Sequence, residues 1–363
     1  MVTVLVLFNP EDALEYAQQG LLLCEEVLVP SLFPFFVCSG LLIHSGVCER
    51  LSSIFAPIMK PLFNVGGSGA AAFILGIISG YPLGAQVSVK LYEEGAIGKG
   101  ETERLLAFCN NSGPLFLLGS VGAAIYHSPR LGIILYSAHI AAALTVGILF
   151  GFYKRGRVEN VSQSTTKKDM GMSEVFACAL SGSVTSILGV CGAVVFFGVI
   201  ANLLAGFLPD GLMRTLFIAA SELTSGIKGI SASDIPLPHK AVLSSMAAGF
   251  AGFCIHLQVM NVAAGKGLSL IPYIVGKVFH ALFAGLYTFL LLKLYPITVT
   301  VFSSNGDISG SFFAASVFTG ISAVVIVIIA GVGAGIKTII KRNKKSLPLE
   351  GKVAKSKILT DEV

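Results

Sequence analysis

Charge is scarce in this sequence. Only 12% of its 363 residues are Asp, Glu, Lys or Arg, where soluble domains average about a quarter. Too few charges remain to solvate a globule of this length, which excludes an ordinary water-soluble fold. Catalytic motifs are missing too. There is no GxxxxGK[ST] loop, which argues against ATP-driven transport by this chain itself, and no HExxH or GxSxG string. The seven cysteines, at Cys24, Cys38, Cys48, Cys109, Cys178, Cys191 and Cys254, are odd in number, form no CxxC pair and make no ligand cluster with the six histidines. They read as small apolar packing residues in a reducing or lipid setting. No enzyme activity, cofactor or metal is expected. A signal peptide is not expected either: Val2–Phe8 is short, lacks a basic start and is followed by Glu11, Asp12 and Glu15.

What is present is apolar. Hydrophobic residues make up 54% of the chain, and the mean hydropathy is +0.82. Runs close to the roughly 20 residues that span a bilayer fall at 27–46, 104–125, 131–152, 185–207, 241–264, 271–295 and 312–336. The fold class that follows is all-α, a polytopic helical membrane protein. Between these runs lie shorter ones. Leu51–Val65 is interrupted by Pro57 and Pro61 and reads as interfacial; Ala70–Leu83 breaks at Ser79-Gly80-Tyr81-Pro82 and is too short to cross. Leu212–Ile230 carries Arg214, Glu222 and Lys228 and reads as re-entrant, and Gln86–Ala107 reads as one hydrophilic helix outside the hydrocarbon. Basic residues gather at Lys154–Lys168 and Lys337–Lys345 beside apolar runs, as the positive-inside rule describes; a nucleic-acid partner is not expected from the net charge of +5.

Weak internal repeats recur in one order. Residues 31–51 echo 186–204. The string 72–86 pairs with 216–231, setting Ser79-Gly80 against Ser225-Gly226. Residues 103–124 pair with 239–264, and the run holding His139 with the one holding His280. If both basic stretches face the cytoplasm, each repeat crosses three times, and the repeats are oppositely oriented. Two inverted repeats with broken or re-entrant helices place a substrate site between them near the midplane. The units are a first repeat at 25–153, a basic cytoplasmic loop at 154–172, a second repeat at 173–296, a helix at 312–336 and a basic tail at 341–363.

Three constellations are candidate substrate contacts. Ser79, Gly80, Tyr81 and Pro82 sit where Gly and Pro free backbone groups; a helix restarting there would point its N-terminal amides at an anion or polar ligand, and a plain interfacial turn fits the same residues equally. Asn110, Asn111, Ser112 and Gly113 put amides and a hydroxyl beside a helix breaker in an apolar run, suited to a polar solute, with interhelical glue as the alternative. Glu222, Ser225, Lys228, His256 and Gln258 are their repeat counterparts. Glu222 needs a cavity or a partner at membrane depth, with Lys228, Arg214 and Lys277 as candidate cations. His139 and His280 fit proton-linked and packing roles alike.

Four strings carry a family resemblance: VPSLFPFF (29–36), KPLFNVGGSGAAAFILGIISGYPLGAQ (60–86), LYEEGAIGKGETERLLAFCNNSGPLFLLGSVG (91–122) and SPRLG (128–132). They resemble the YlbJ (SpoVV) family of sporulation integral membrane proteins, which contains the nucleoside-recognition or Gate domain related in pattern to concentrative nucleoside transporters. The second half departs by carrying GFAGFCIHLQV where the first has NNSGP. The resemblance implies two Gate-like repeats and a transporter in endospore formation. Its solute would be dipicolinic acid, carried by alternating access across the outer forespore membrane. Rival expectations are a permease for nucleosides or another small solute, and a non-transporting scaffold for spore assembly. The implied partners are a small anionic or polar solute and the lipid bilayer. Gly320, Gly331, Gly333 and Gly335 suit either a homodimer contact or packing within one chain.

Overall fold

The computed structural model describes residues 2–44, 47–154 and 171–297. The expected helix at 312–336, the tail at 341–363 and nearly all of the loop at 154–172 lie outside the described residues. Every regular element among the described residues is helical. The chain opens with α1 (Val2–Phe8), then α2 (Pro10–Leu23), which runs through a π-turn (Cys24–Leu28) into α3 (Val29–His44), followed by α4 (Val47–Phe63). Next come α5 (Gly69–Ser79), α6 (Leu83–Glu93), α7 (Lys99–Cys109), a π-helix (Leu115–Ile125) and α8 (Pro129–Phe150). The remainder is α9 (Met172–Ala205), α10 (Leu212–Ser221), α11 (Leu223–Ala232), α12 (Leu237–Phe250), α13 (Gly252–Ala263) and α14 (Ile271–Leu294).

Helices α1 and α4 have no counterpart in the second half; the other elements follow a similar order in both. A long helical run leads to a hairpin of two short helices, then to a helix broken in its middle, then to an unbroken helix. In the first half these are α2–α3, α5/α6, α7 with the π-helix, and α8; in the second they are α9, α10/α11, α12/α13 and α14. Among the described residues, four helical stretches are long and apolar enough to cross a membrane: Pro129–Phe150, Met172–Ala205, Leu237–Ala263 and Ile271–Leu294. The spans expected at 131–152, 185–207, 241–264 and 271–295 correspond to these, with α9 starting 13 residues earlier than hydropathy placed it.

Two expectations are corrected. Gln86–Ala107 is not one solvated helix. It is the end of α6, a turn through Gly95 (φ +70°) and α7, and Ser88, Glu101, Thr102, Glu103 and Arg104 are buried. Their polarity reflects internal partners rather than water: Glu101 accepts from the Gly66 amide at 2.7 Å and the Gly98 amide at 2.9 Å. The repeat register also shifts. Ser79-Gly80 lies at a hairpin break, whereas Ser225-Gly226 lies inside α11, and the matching break falls at Ser221-Glu222.

Small residues set the packing. Gly76 of α5 and Gly84 of α6 both press on the end of α7; a Cβ on either would come within 1.8 and 2.0 Å of the Cys109 carbonyl oxygen. Gly276 of α14 lies against Ala107 of α7, and Gly249 of α12 against Ala281 of α14. On the opposite side α2, α3 and α9 form a layer, with Gly20 against Val195 and Gly40 against Ala179. The faces of α14 differ sharply. Tyr273, Gly276, Lys277, His280, Ala284 and Thr288 are buried, while Ile274, Val278, Leu282, Leu286 and Phe289 are exposed, as suits a helix with lipid on one side.

A polar clamp closes one end. Glu103 accepts from Lys154 Nζ at 2.7 Å and from the Ser269 amide at 2.9 Å, and Arg104 donates to the carbonyls of Tyr153 and Lys154 at 3.0 Å. Burial pushes the Glu103 carboxyl up, but the hydrogen bonds from Lys154 and Ser269 and the charges of Lys154 and Lys99 outweigh it and hold the group below its usual range. Stability from this group is therefore present above the ordinary carboxylate range and is lost as pH falls through the lowered value. Thermal unfolding in detergent should show Glu103→Gln below wild type at pH 7, with the gap closing once the pH drops under about 4; a gap constant across pH would rule the clamp out. In the same assay Gly76→Ala and Gly84→Ala should each cost about 1–3 kcal/mol from overpacking. Gly192→Ala, with nothing within 4 Å of its added Cβ, should stay within about 0.5 kcal/mol.

Candidate solute site at the helix breaks

Four helices break, and the sequence shows why at each. After α5, Gly80 adopts φ +84° and Pro82 opens α6. After α7, Asn110 leaves helical geometry at φ −92°, ψ 88°, and Pro114 leads into the π-helix. Between α10 and α11 the single residue Glu222 is extended at φ −134°, ψ 118°. Between α12 and α13, Ala251 at φ +78° and Gly252 at φ +75° are left-handed. For Ala251 that conformation costs about 1–2 kcal/mol, a strain the surrounding structure must hold.

The breaks meet in pairs. A Cβ on Gly80 would stand 2.9 Å from the Gly113 amide nitrogen, and one on Gly113 would stand 3.3 Å from the Ser79 carbonyl oxygen. The second half does the same: a Cβ on Gly252 would stand 3.3 Å from the Ser221 carbonyl oxygen and 3.4 Å from the Leu223 amide nitrogen. Tyr81 links the pairs, its hydroxyl donating to the Ala248 carbonyl at 3.4 Å. Between them lies a cavity of about 60 Å³ walled by Gly80, Tyr81 and Gly113 on one side and by Glu222, Thr224 and Gln258 on the other. Leu28, Leu32, Val190 and Val194 of the α2–α3–α9 layer cover it. Small-molecule pockets start near 300 Å³, and this space is well below that size. A second cavity, about 250 Å³, lies along the same layer beside Gln86, Lys90, Ser183 and Ser186.

The restarting helices differ at their N-termini. In α6, the π-helix and α13 no side chain caps the freed amides. In α11 the Glu222 carboxylate accepts from the Thr224 amide at 2.9 Å and the Ser225 amide at 2.7 Å. Glu222 therefore faces the cavity, one of the two outcomes expected for it, and these amides rather than a candidate cation hydrogen-bond its carboxylate. Lys228 is exposed, Arg214 pairs with Asp210 and the Leu208 carbonyl, and Lys277 turns elsewhere.

Behind Tyr81 lies a second polar group. Asn110, Asn111, Ser112, Lys277 and His280 are all 0% exposed. Lys277 Nζ donates to the Asn110 carbonyl freed by the break and lies 5.7 Å from the centre of the Tyr81 ring. The Ser112 amide donates to His139 Nε2 at 2.9 Å, His280 Nε2 lies 3.0 Å from the His139 carbonyl, and the two imidazole rings are 4.3 Å apart. His256 Nδ1 lies 2.9 Å from the Tyr273 hydroxyl. The Tyr81 hydroxyl sits beside Ser112 and that of Tyr273 beside Asn110, yet the Asn110 amide, Asn111 Oδ1 and Ser112 Oγ have no hydrogen bond of good geometry within the protein. Buried polar atoms left so cost about 1–3 kcal/mol each, and native structures keep few of them.

Of the residues expected from sequence, Gly80, Tyr81, Gly113, Glu222 and Gln258 line the cavity, with Ser79 and Pro82 bounding the first break. Asn110, Asn111, Ser112 and His256 fall in the polar group behind it. Ser225 contributes its amide to the Glu222 cap, and Lys228 stands apart. Comparison with known proteins gives the context. Residues 26–207, just over half the chain, match the Gate family, described as nucleoside recognition. The chain belongs to the Gate family. It is also 29% identical over 330 residues, 80% of each chain, to "Sporulation integral membrane protein YlbJ" of Bacillus subtilis (strain 168). No solved structure matches.

Sequence reasoning about this Gate chain left out Tyr273 and Thr224, named Lys277 only as a candidate partner of Glu222, and left the two histidines open. A signal for Lys277 existed: it is a charge inside the apolar run 271–295, and such residues face the protein interior. Nothing local marks Thr224. Removing the carboxylate tests the cap: Glu222→Ala should lower stability by about 1–2 kcal/mol in thermal unfolding, and Glu222→Asp, a favoured cap, should recover most of it. Equal losses in both variants would show that the cap is not what Glu222 supplies.

Proposed function

We propose that this chain is a membrane transporter of a small polar solute, dipicolinic acid, across the outer forespore membrane during sporulation. The observation that carries the reading is the meeting of four helix breaks around one small cavity. Non-helical backbone at membrane depth is tolerated where it is buried in protein or lines a polar cavity, and the uncapped amides of α6, the π-helix and α13 offer anion contacts. Gln258 and Thr224 add polar groups suited to a ring nitrogen or carboxylate. The YlbJ relative, by its printed name a sporulation integral membrane protein, supports the cell stage. In this reading the two halves are inverted Gate-like repeats.

Alternating access needs a surface along which parts can move. Moving one sequence half as a block against the other would break the contacts of α14 with α7 and of α3 with α9. Both cavities instead lie between the α2–α3–α9 layer and the hairpin core, and the proposed motion follows that seam. Glu222 favours a second solute class: a carboxylate at the cavity wall suits the hydroxyl donors of a nucleoside and repels an anion, in keeping with the family description. Purified protein in vesicles separates them. Labelled dipicolinate should exchange across the membrane, and uridine should compete weakly; strong uridine exchange without dipicolinate exchange would assign the site to nucleosides. Asn110→Ala with Asn111→Ala, and Gln258→Ala separately, should each reduce dipicolinate uptake at least tenfold while the protein stays in the membrane.

A further inference from the structure

Lys277 does not line the cavity, yet among the described residues no other Lys or Arg is buried as deeply. It is fully buried in α14, and among the described residues no carboxylate pairs with it. Its amine bonds the Asn110 carbonyl, the acceptor freed where α7 breaks, and faces the ring of Tyr81, which forms the break of the first hairpin and walls the cavity. The other titratable groups around it are Cys109 of α7, His139 of α8, His256 of α13, and Tyr273 and His280 of α14 itself. None of these supplies a fixed negative charge.

We propose that Lys277 is a proton-binding residue whose loading couples proton movement to solute movement through the breaks it holds together. This rests on the transporter reading. The charged amine attracts both the Asn110 carbonyl and the face of the Tyr81 ring, pinning the two breaks of the first half to α14. The neutral amine keeps an N–H for the carbonyl and loses its hold on the ring. Protonation thus biases the position of Tyr81, a group that bounds the solute cavity, and a change at the cavity biases Lys277 in return by linkage. An anionic solute beside Tyr81 favours the charged amine, so proton and anion load together. The proton is taken from water on the loading side and released to water on the other, leaving the neutral amine.

The full-length protein in vesicles tests this. With the outside acid, wild type should accumulate labelled dipicolinate above its no-gradient level, and a trapped pH dye should report internal acidification that depends on dipicolinate. Lys277→Met should lose the gradient-driven accumulation, and whatever exchange it retains at equal pH on both sides should no longer change with pH. Lys277→His, whose imidazole binds a proton less tightly than an amine, should move the pH profile of transport to lower pH. Exchange by wild type without any effect of the pH gradient, accumulation driven by sodium at clamped pH, or a Lys277→Met protein that still accumulates would each overturn the coupling and leave the transporter reading intact. If Lys277→Met fails to exchange, an unshifted profile in Lys277→His overturns it. Failure of wild type to exchange either dipicolinate or uridine would overturn the transporter reading and this proposal with it.

Discussion

Backbone groups freed inside a membrane must find partners within the protein, and that requirement organises this chain. A helix can stop at membrane depth only if its open carbonyls and amides meet something other than lipid. Here four helices stop, and each break is covered by another break or by a polar side chain. Gly80 lies on Gly113, Gly252 lies on Ser221, Glu222 caps α11, and Lys277 takes the carbonyl of Asn110. Once the breaks are obliged to meet, much else follows. The hairpin arms must approach closely, which requires Gly76 and Gly84, and the helices carrying the partners must run beside them, which places α14 against both α7 and α12.

The same requirement explains how much could be read in advance. Membrane embedding, helical class and the long α8, α9 and α14 follow from composition and run length, because lipid demands apolar surface over a fixed thickness. The breaks at Ser79–Pro82 and Asn110–Pro114 were legible because Gly and Pro punctuate them. The break at Glu222 was misplaced by a few residues: it consists of one extended residue with no Gly or Pro, and its carboxylate folds back onto the amides of Thr224 and Ser225. The break at Ala251-Gly252 does carry a glycine, but the alanine held at positive φ before it leaves no local mark.

Polarity misled in one direction. Glu101, Glu103 and Arg104 look like a solvated helix face, yet they are buried and committed to backbone partners brought in from Gly66, Tyr153, Lys154 and Ser269. Burial of that kind depends on contacts distant in sequence, which periodicity cannot report. The separation of cavity-lining residues from the polar group behind Tyr81 is also a tertiary fact; sequence placed Tyr81 and Asn110 in one site without saying which stands in front.

The two faces of α14 bear on how this protein is assembled. A translocating helix slipped by one residue turns through about 100°, which would carry Lys277 from Asn110 toward the lipid face now held by Ile274 and Val278. On insertion scales a lysine at that depth costs about 2.5–3.5 kcal/mol, while the hydrocarbon face gains nothing in exchange. With Lys277, His280 and Thr288 on one face and Ile274, Val278, Leu282 and Leu286 on the other, one rotation of α14 keeps its polar side chains away from lipid.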